Sequence, residues 1–452
     1  MKRKMLFFER FMYIDGVTPI NCVMSARVRG SICPANLRTA LLKIQAKHPL
    51  LRARAVEEAD GPYFIFEGTP EIPVRVVERQ TDDDWQSVTV AEWKVPFDTK
   101  AGPLIRITWI KSEAVSELMV VAHHCICDGG AIITLLREIL QIIDQPETEL
   151  TPYTSYASIE DIVPHEILQD AKTIRGMKRK AAFYKLFLAI MGRKATTLDA
   201  GDPYFLYWKA NAEQFSAINH RCSVEDTTCN AALCVAFLQA FREVLGKRAK
   251  NKIVCPVNMR RYIRSIKSDM MFTIAPIIGL SLGKNLQSGF WQLARDIKHS
   301  TAEKIESLGA RVYEDLMVCD HISASVPNLI NFMFSNKGGH DLAFSNLGHL
   351  KIPTKYHAFA LETITGATIC VPWRNTNTLV ASNFLGELAL GFISNERFLP
   401  QREAMAIQER ALQLLKDAME QPISATPIAL GALAAQCESS HKHQPQQEAS
   451  TH

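Results

Sequence analysis

The chain has no run of arginine and lysine with interleaved aromatic residues, and its formal net charge is only +4. Binding to a phosphate backbone rests on neutralising many charges, so nucleic acid is not an expected partner. No uninterrupted apolar segment of about 18 residues occurs, the length a spanning helix needs, so none is expected. The basic start MKRKMLFFERFMYIDG is broken by Glu9 and Arg10 before an apolar signal core can form, and a cytoplasmic location is the expectation. Cysteine is present eleven times, but the number is odd and the spacing forms no disulfide framework. Reduced thiols, mostly small core residues, are expected. There is no internal repeat.

What remains is the composition of a globular protein, with 47% hydrophobic and 22% charged residues in 452. That length exceeds what one core usually fills, so two domains are expected. Residues 34 to 48 read as a helix opened by Pro34 and stopped by Pro49, with Leu37, Leu41 and Ile44 on one face. PLLRARAVEE and GPYFIFEG read as strands around Asp60 and Gly61, and PFDTKAGPLIRITWI as a turn followed by a strand. The second half repeats this mixture, with a helix over DTTCNAALCVAFLQAFREVLG, a strand at IVCPVNMR and a long helix through FWQLARDIKHSTAEKIESL. Strands are read in DLAFSNLGHLKI, TGATICVPW and TLVASNFLGELALGFI. The fold class is α/β in two layers, of α+β character. The boundaries are a first lobe at 1–165, a crossover at 166–204, a second lobe at 205–430 and a polar, disordered tail at 431–452.

The chemistry concentrates in VVAHHCICDGGAII, residues 120 to 133. A strand period of two puts Leu118, Val120, Ala122 and His124 on one face and Met119, Val121 and His123 on the other. Asp128 can cap a helix whose Ile132, Leu135, Leu136, Ile139 and Ile143 form an apolar stripe. An imidazole with an ordinary pKa near 6.5 is largely neutral at cytosolic pH, which is what a general base requires. His124 can take a proton from a hydroxyl or amine attacking a carbonyl. His123 reads as a structural histidine bonded to backbone. Asp128 is either a plain cap or a group that positions the histidine through an ion pair. His123, Cys125 and Cys127 share a face, but opposed histidines cannot converge on one ion, so no metal site is expected.

HHCICDG at 123 to 129 resembles the HHxxxDG signature of the chloramphenicol acetyltransferase-like superfamily, which includes the condensation domains of peptide synthetases and free-standing acyltransferases. HPLLRAR at 48 to 54, PFD with GPLIRI, PVNMRR at 256 to 261 and SNLG at 345 to 348 extend the resemblance in order to about residue 400. It is nearest to the phthiocerol dimycocerosyl transferase and alcohol acetyltransferase type. The DFGWG motif of the plant branch is absent, and no condensation-domain motif stands out besides the histidine one. The resemblance implies two similar lobes meeting in a V, with a channel at their junction. It implies His124 as the catalytic base and Asp128 paired with an arginine of the second lobe, Arg260 or else Arg261. Gly129 would permit a tight turn, and Ser345 and Asn346 are candidates for the oxyanion or channel. No bound cofactor is implied. The donor would be acyl-CoA or a phosphopantetheinyl carrier protein, and the acceptor a small alcohol or amine.

Other readings stay open. GLSLG at 279 to 283 satisfies the nucleophile-elbow pattern, with Ser281 as nucleophile and His321 or His357 as base, but the elbow needs a helix straight after the serine. Amide formation of the peptide-synthetase kind and a non-catalytic scaffold binding acyl chains or a carrier protein are further alternatives. Residues 172 to 194 are basic and amphipathic without an acidic residue, the pattern of a peripheral membrane contact, an acidic-carrier contact or a solvated strap.

Overall fold

The computed structural model describes residues 2–192, 201–274, 276–283, 288–335, 339–373 and 376–423. The segment expected as a disordered tail, 431–452, and the end of the basic stretch, 193–194, lie outside the described residues.

Two large sheets organise the chain. The first has five strands in the spatial order Phe359–Ile369, Asn21–Gly30, Val115–His123, Ile105–Lys111 and Val74–Glu78. The second has six, in the order Ile277–Leu280, Ile253–Pro256, Leu342–His349, Thr378–Phe384, Glu387–Asn395 and Pro203–Ala210. A three-stranded sheet of Lys2–Lys4, Gly61–Ile65 and Arg54–Glu58 flanks the first. With helices packed on the sheets, the class is the expected α/β, in two lobes.

One strand crosses between them. Phe359–Ile369 belongs to the second half of the chain yet pairs antiparallel with Asn21–Gly30, from Phe359 opposite Gly30 to Ile369 opposite Cys22. A second lobe running unbroken over 205–430 is therefore corrected. Alternation in a sequence marks a strand without naming its partner, and the mostly buried strand Asn21–Gly30 would otherwise present an open edge. A smaller correction concerns PLLR, which forms a 3₁₀ turn at Pro49–Arg52 before the strand Arg54–Glu58 begins.

The strand Val115–His123 separates two apolar layers. Leu118, Val120 and Ala122 join the core made with the helices Pro34–Lys47 and Gly129–Asp144. In that second helix Ile132, Leu135, Leu136 and Ile139 are fully buried and Ile143 nearly so. Met119 and Val121, on the other face, meet Val380 and Ile393 of the second sheet. The sheet face beside the histidines is thus the seam between the lobes. The first lobe also buries Glu92, which accepts hydrogen bonds from Arg75, Arg106 and Thr108 at 2.7 Å each. That network fills the side of Ile105–Lys111 opposite Ile105, Ile107 and Trp109.

In the second lobe Thr228 caps the helix Cys229–Leu245 by accepting from the Ala231 N–H, and Leu233, Phe237 and Phe241 are buried on its sheet side. The stretch Cys229–Arg248 is long and apolar enough to cross a membrane by composition. Here it is the core helix of a lobe, buried from Ala231 to Leu238 and exposed at Glu243 near its end.

Candidate active site

The strand ends at His123, one residue before the alternation argument needs it to. The His123 N–H donates to the Leu104 carbonyl, and the chain then turns with the Ile126 N–H donating back to the His123 carbonyl at 3.0 Å. His124 is therefore placed by a turn, and the expected sharing of a face with Ala122 does not set its direction. Its N–H donates to the Ile20 carbonyl at 2.8 Å, and its own carbonyl accepts the Thr273 hydroxyl at 2.9 Å. Thr273 belongs to the second half of the chain, so His124 sits where the two halves touch.

The ring is anchored on one side. Nδ1 of His124 lies 2.6 Å from the Cys127 carbonyl, which can only accept, so Nδ1 carries a proton and Nε2 is left as the basic nitrogen of the neutral ring. The residue is partly exposed, whereas His123 is 1% exposed. Nδ1 of His123 accepts from the Cys125 N–H at 3.2 Å, and its ring meets Phe97 edge-on with centroids 6.1 Å apart. Burial, with the neighbouring His124 and Arg106 charges, pushes the His123 pKa down to about 3. This ring stays neutral and structural.

His124 is pushed the other way, to about 9. Burial works downward and is outweighed by the negative charge of Cys22, by hydrogen bonds to Cys22 and the Cys127 carbonyl, and by Asp128. The Cys22 thiol is driven down, chiefly by a hydrogen bond with the Cys127 thiol and with the His124 charge adding to it. This upward direction runs against the largely neutral ring expected of an ordinary imidazole. Its physical reason is a thiol supplied by a strand one hundred residues earlier in the chain, where Cys22 pairs with Ala122.

Asp128 caps the helix Gly129–Asp144 by accepting from the Ala131 N–H at 2.9 Å, and the same oxygen meets Nη2 of Arg260 at 2.9 Å. Arg260 is 7% exposed and also donates to the Phe272 carbonyl at 3.0 Å. Burial raises the Asp128 pKa, while Arg260 and the Ala131 N–H oppose the rise. Cap and ion pair are thus one carboxylate. Arg261 points elsewhere, donating to the Tyr262 hydroxyl at 2.6 Å.

Gly129 does not need a left-handed backbone, so the expected reason for a glycine there is corrected. A Cβ at this position would stand 2.8 Å from Cδ2 of Leu347. The end of a second-lobe side chain thus comes within contact distance of this glycine. Gly130 is similar though looser, with its added Cβ 3.5 Å from Asp128 Oδ1 and 3.9 Å from Asn258 Nδ2.

Ser345 and Asn346 lie on the strand Leu342–His349, Ser345 half-buried opposite Val380 and Asn346 exposed. Asn346 donates to Asn230 Oδ1 at 3.0 Å and accepts from the Gly348 N–H at 2.9 Å, so its amide serves the second lobe's own turn. In SNLG the residue that reaches the motif is the apolar Leu347. Cys22, Thr273 and Leu347 were not singled out by sequence reasoning. Of these only Leu347 carried a signal, since it lies in a stretch already marked.

Ser281 is exposed just after the strand Ile277–Leu280, and the next helix among the described residues starts at Phe290. His357 is exposed and bound to Asp144 at 2.9 Å. The elbow geometry is absent among the described residues.

A histidine and a capped aspartate are held in the seam of two α/β lobes by contacts from both. Residues 2–171 match the family model described as Condensation domain. The matched range extends well beyond the histidine motif. A stretch of 230 residues, 49% of this chain, is 24% identical to the cyclosporin synthetase of Tolypocladium inflatum, of which it spans 2%. The condensation domain of the Monacolin K polyketide synthase superposes with a TM-score of 0.67 at 13% identity, covering 94% of this chain and 98% of that one. Trichothecene 15-O-acetyltransferase from Fusarium sporotrichioides superposes with a TM-score of 0.67 at 12% identity, covering 93% and 97%. The chain as a whole has the fold of these solved structures, and residues 2–171 carry the condensation-domain match.

Proposed function

We propose that this protein is an acyltransferase that moves an acyl group from a thioester, on coenzyme A or a carrier-protein phosphopantetheine, to an alcohol. The acceptor oxygen attacks the thioester carbonyl, Nε2 of His124 takes its proton, and the thiolate leaves. No metal and no bound cofactor enter the scheme. The observation that carries the reading is the Nδ1 contact of His124 with the Cys127 carbonyl, which leaves Nε2 basic at the lobe junction. Asp128 serves as a positioning residue, held by Arg260 at the head of the helix that follows the histidine turn. Positioned base catalysis of this kind contributes roughly 10²–10⁴ in rate.

Because His124 is pushed up to about 9, the neutral, proton-accepting form gains population as pH rises. Transfer therefore increases with pH through that range. The fold is shared with ester-forming and condensation-type proteins alike, and the Condensation domain match over 2–171 favours amide formation from carrier-bound substrates as the second reading.

Intact-mass detection of product from a panel of acyl-CoA and acyl-carrier thioesters, offered mixed alcohols and amines, tests both readings. Ester products lost in His124→Ala support the first, and amide products from carrier thioesters the second. Transfer that survives His124→Ala undiminished sinks the role given to the ring. No transfer from any donor leaves a binding scaffold.

A further inference from the structure

The helix Ala171–Met191 has a buried side and a side that no described residue covers. Met177, Ala181 and Leu188 are buried against the helices Val312–His321 and Val326–Ser335. Lys180 binds Asp315 at 2.6 Å on one flank, and Phe187 meets Phe332 with ring centroids 5.8 Å apart. The helix end is pinned by Gly192, whose Cβ would fall 2.1 Å from the Asn328 carbonyl and whose own carbonyl accepts from Asn331. This is a fixed helix with a defined outward face.

At 3.6 residues per turn, the outward face opposite Met177, Ala181 and Leu188 carries Lys172, Arg175 and Arg179, then Phe183, Leu186 and Ile190. The last three are 65%, 62% and 56% exposed. Met191 adds 48%. Soluble surfaces scatter exposed apolar residues singly, whereas here they recur at i, i+3 and i+7. The same ridge continues N-terminally as cations, and no acidic residue occurs in the helix to neutralise them.

We propose that this ridge is a docking face for an anionic lipid surface, with the bulky side chains entering the headgroup boundary and the arginines and lysine facing lipid phosphates. A helix lying in an interface has this combination of apolar anchors and cations. An acidic protein partner would complement the charge equally well. It would also have to supply a groove for a convex ridge of large side chains, a demand a fluid lipid boundary does not make. The proposal is independent of the catalytic reading, since none of these residues belongs to the histidine site.

Flotation of the full chain with vesicles tests it, using phosphatidylcholine alone against phosphatidylcholine containing phosphatidylglycerol. Binding is expected to the anionic vesicles only and to weaken with salt. Phe183→Glu/Leu186→Glu/Ile190→Glu should lower the bound fraction on the order of tenfold or more, and Lys172→Glu/Arg175→Glu/Arg179→Glu comparably. Unchanged circular dichroism and melting verify that each variant folds, as exposed substitutions should. A smaller set, Leu186→Ser alone, repeats the comparison if a triple variant does not fold. Failure of the folded wild type to float overturns the proposal, as does equal flotation with neutral vesicles. Capture of an acidic carrier protein that the same substitutions abolish, without flotation, assigns the ridge to protein docking instead.

Discussion

The two lobes contribute to the site in different ways. The first supplies the histidine and the titratable groups that adjoin it: His124, Asp128, and the Cys22 and Cys127 thiols. The second supplies holding contacts, with Thr273 on the His124 carbonyl, Arg260 on Asp128 and Leu347 against Gly129. A reactive group can thus be encoded in one compact stretch while its placement is encoded some 130 to 220 residues later. Chemistry and alignment can therefore be lost separately.

The largest break in this comparison comes from the first lobe. His124→Ala should reduce transfer by roughly 10²–10⁴ with the melting temperature nearly unchanged, read by steady-state kinetics beside a thermal melt. Breaking the alignment from the second lobe comes next. Arg260→Ala leaves Asp128 partly buried without its cation and should cost on the order of 3–5 kcal/mol of stability, measured by denaturant titration, with activity falling because the turn loosens. Arg260→Lys should recover part of the stability, as a point charge without the forked geometry.

A third change sharpens the comparison within the first lobe. Cys22→Ala removes the negative partner of His124, so the acid limb of the kcat/KM profile should move down from about 9 toward the ordinary imidazole range. Activity at neutral pH should rise relative to the variant's own maximum. An unmoved limb would show that Cys22 does not set the charge of the ring. The smallest effect is expected from Gly129→Ala, whose methyl meets the end of the Leu347 side chain. A loss of about 1 kcal/mol is expected, largely recovered in the double variant with Leu347→Ala, which a double-mutant cycle would show.

The motif was legible because its physics is local. Strand alternation through Val120, Val121 and Ala122, a capping aspartate and an apolar stripe on the following helix are all written within thirty residues. The two-lobed α/β class was legible for a related reason, since each half carries its own helices and strands. Arg260 came into view only through a resemblance, because no spacing rule connects PVNMRR to Asp128. Cys22 gave no signal, since a cysteine in an apolar strand reads as a small core residue until its neighbour across the sheet is known. The upward push on His124 was hidden for the same reason. Leu347 illustrates a different shortfall: attention went to the polar pair Ser345 and Asn346, whereas the contact that explains Gly129 is steric. Of the strand Phe359–Ile369 only the end from Thr365 was read, in TGATICVPW, and its sheet not at all.

That crossing strand binds the order of synthesis to the order of assembly. When the first 200 residues have left the ribosome, the sheet holding the histidine turn still lacks its outermost member, and Asn21–Gly30 offers a free row of backbone donors and acceptors. The reactive half of the protein can close only after most of the other half has been made. A nascent or truncated chain is therefore prone to pair along that edge with its neighbours until residue 369 arrives.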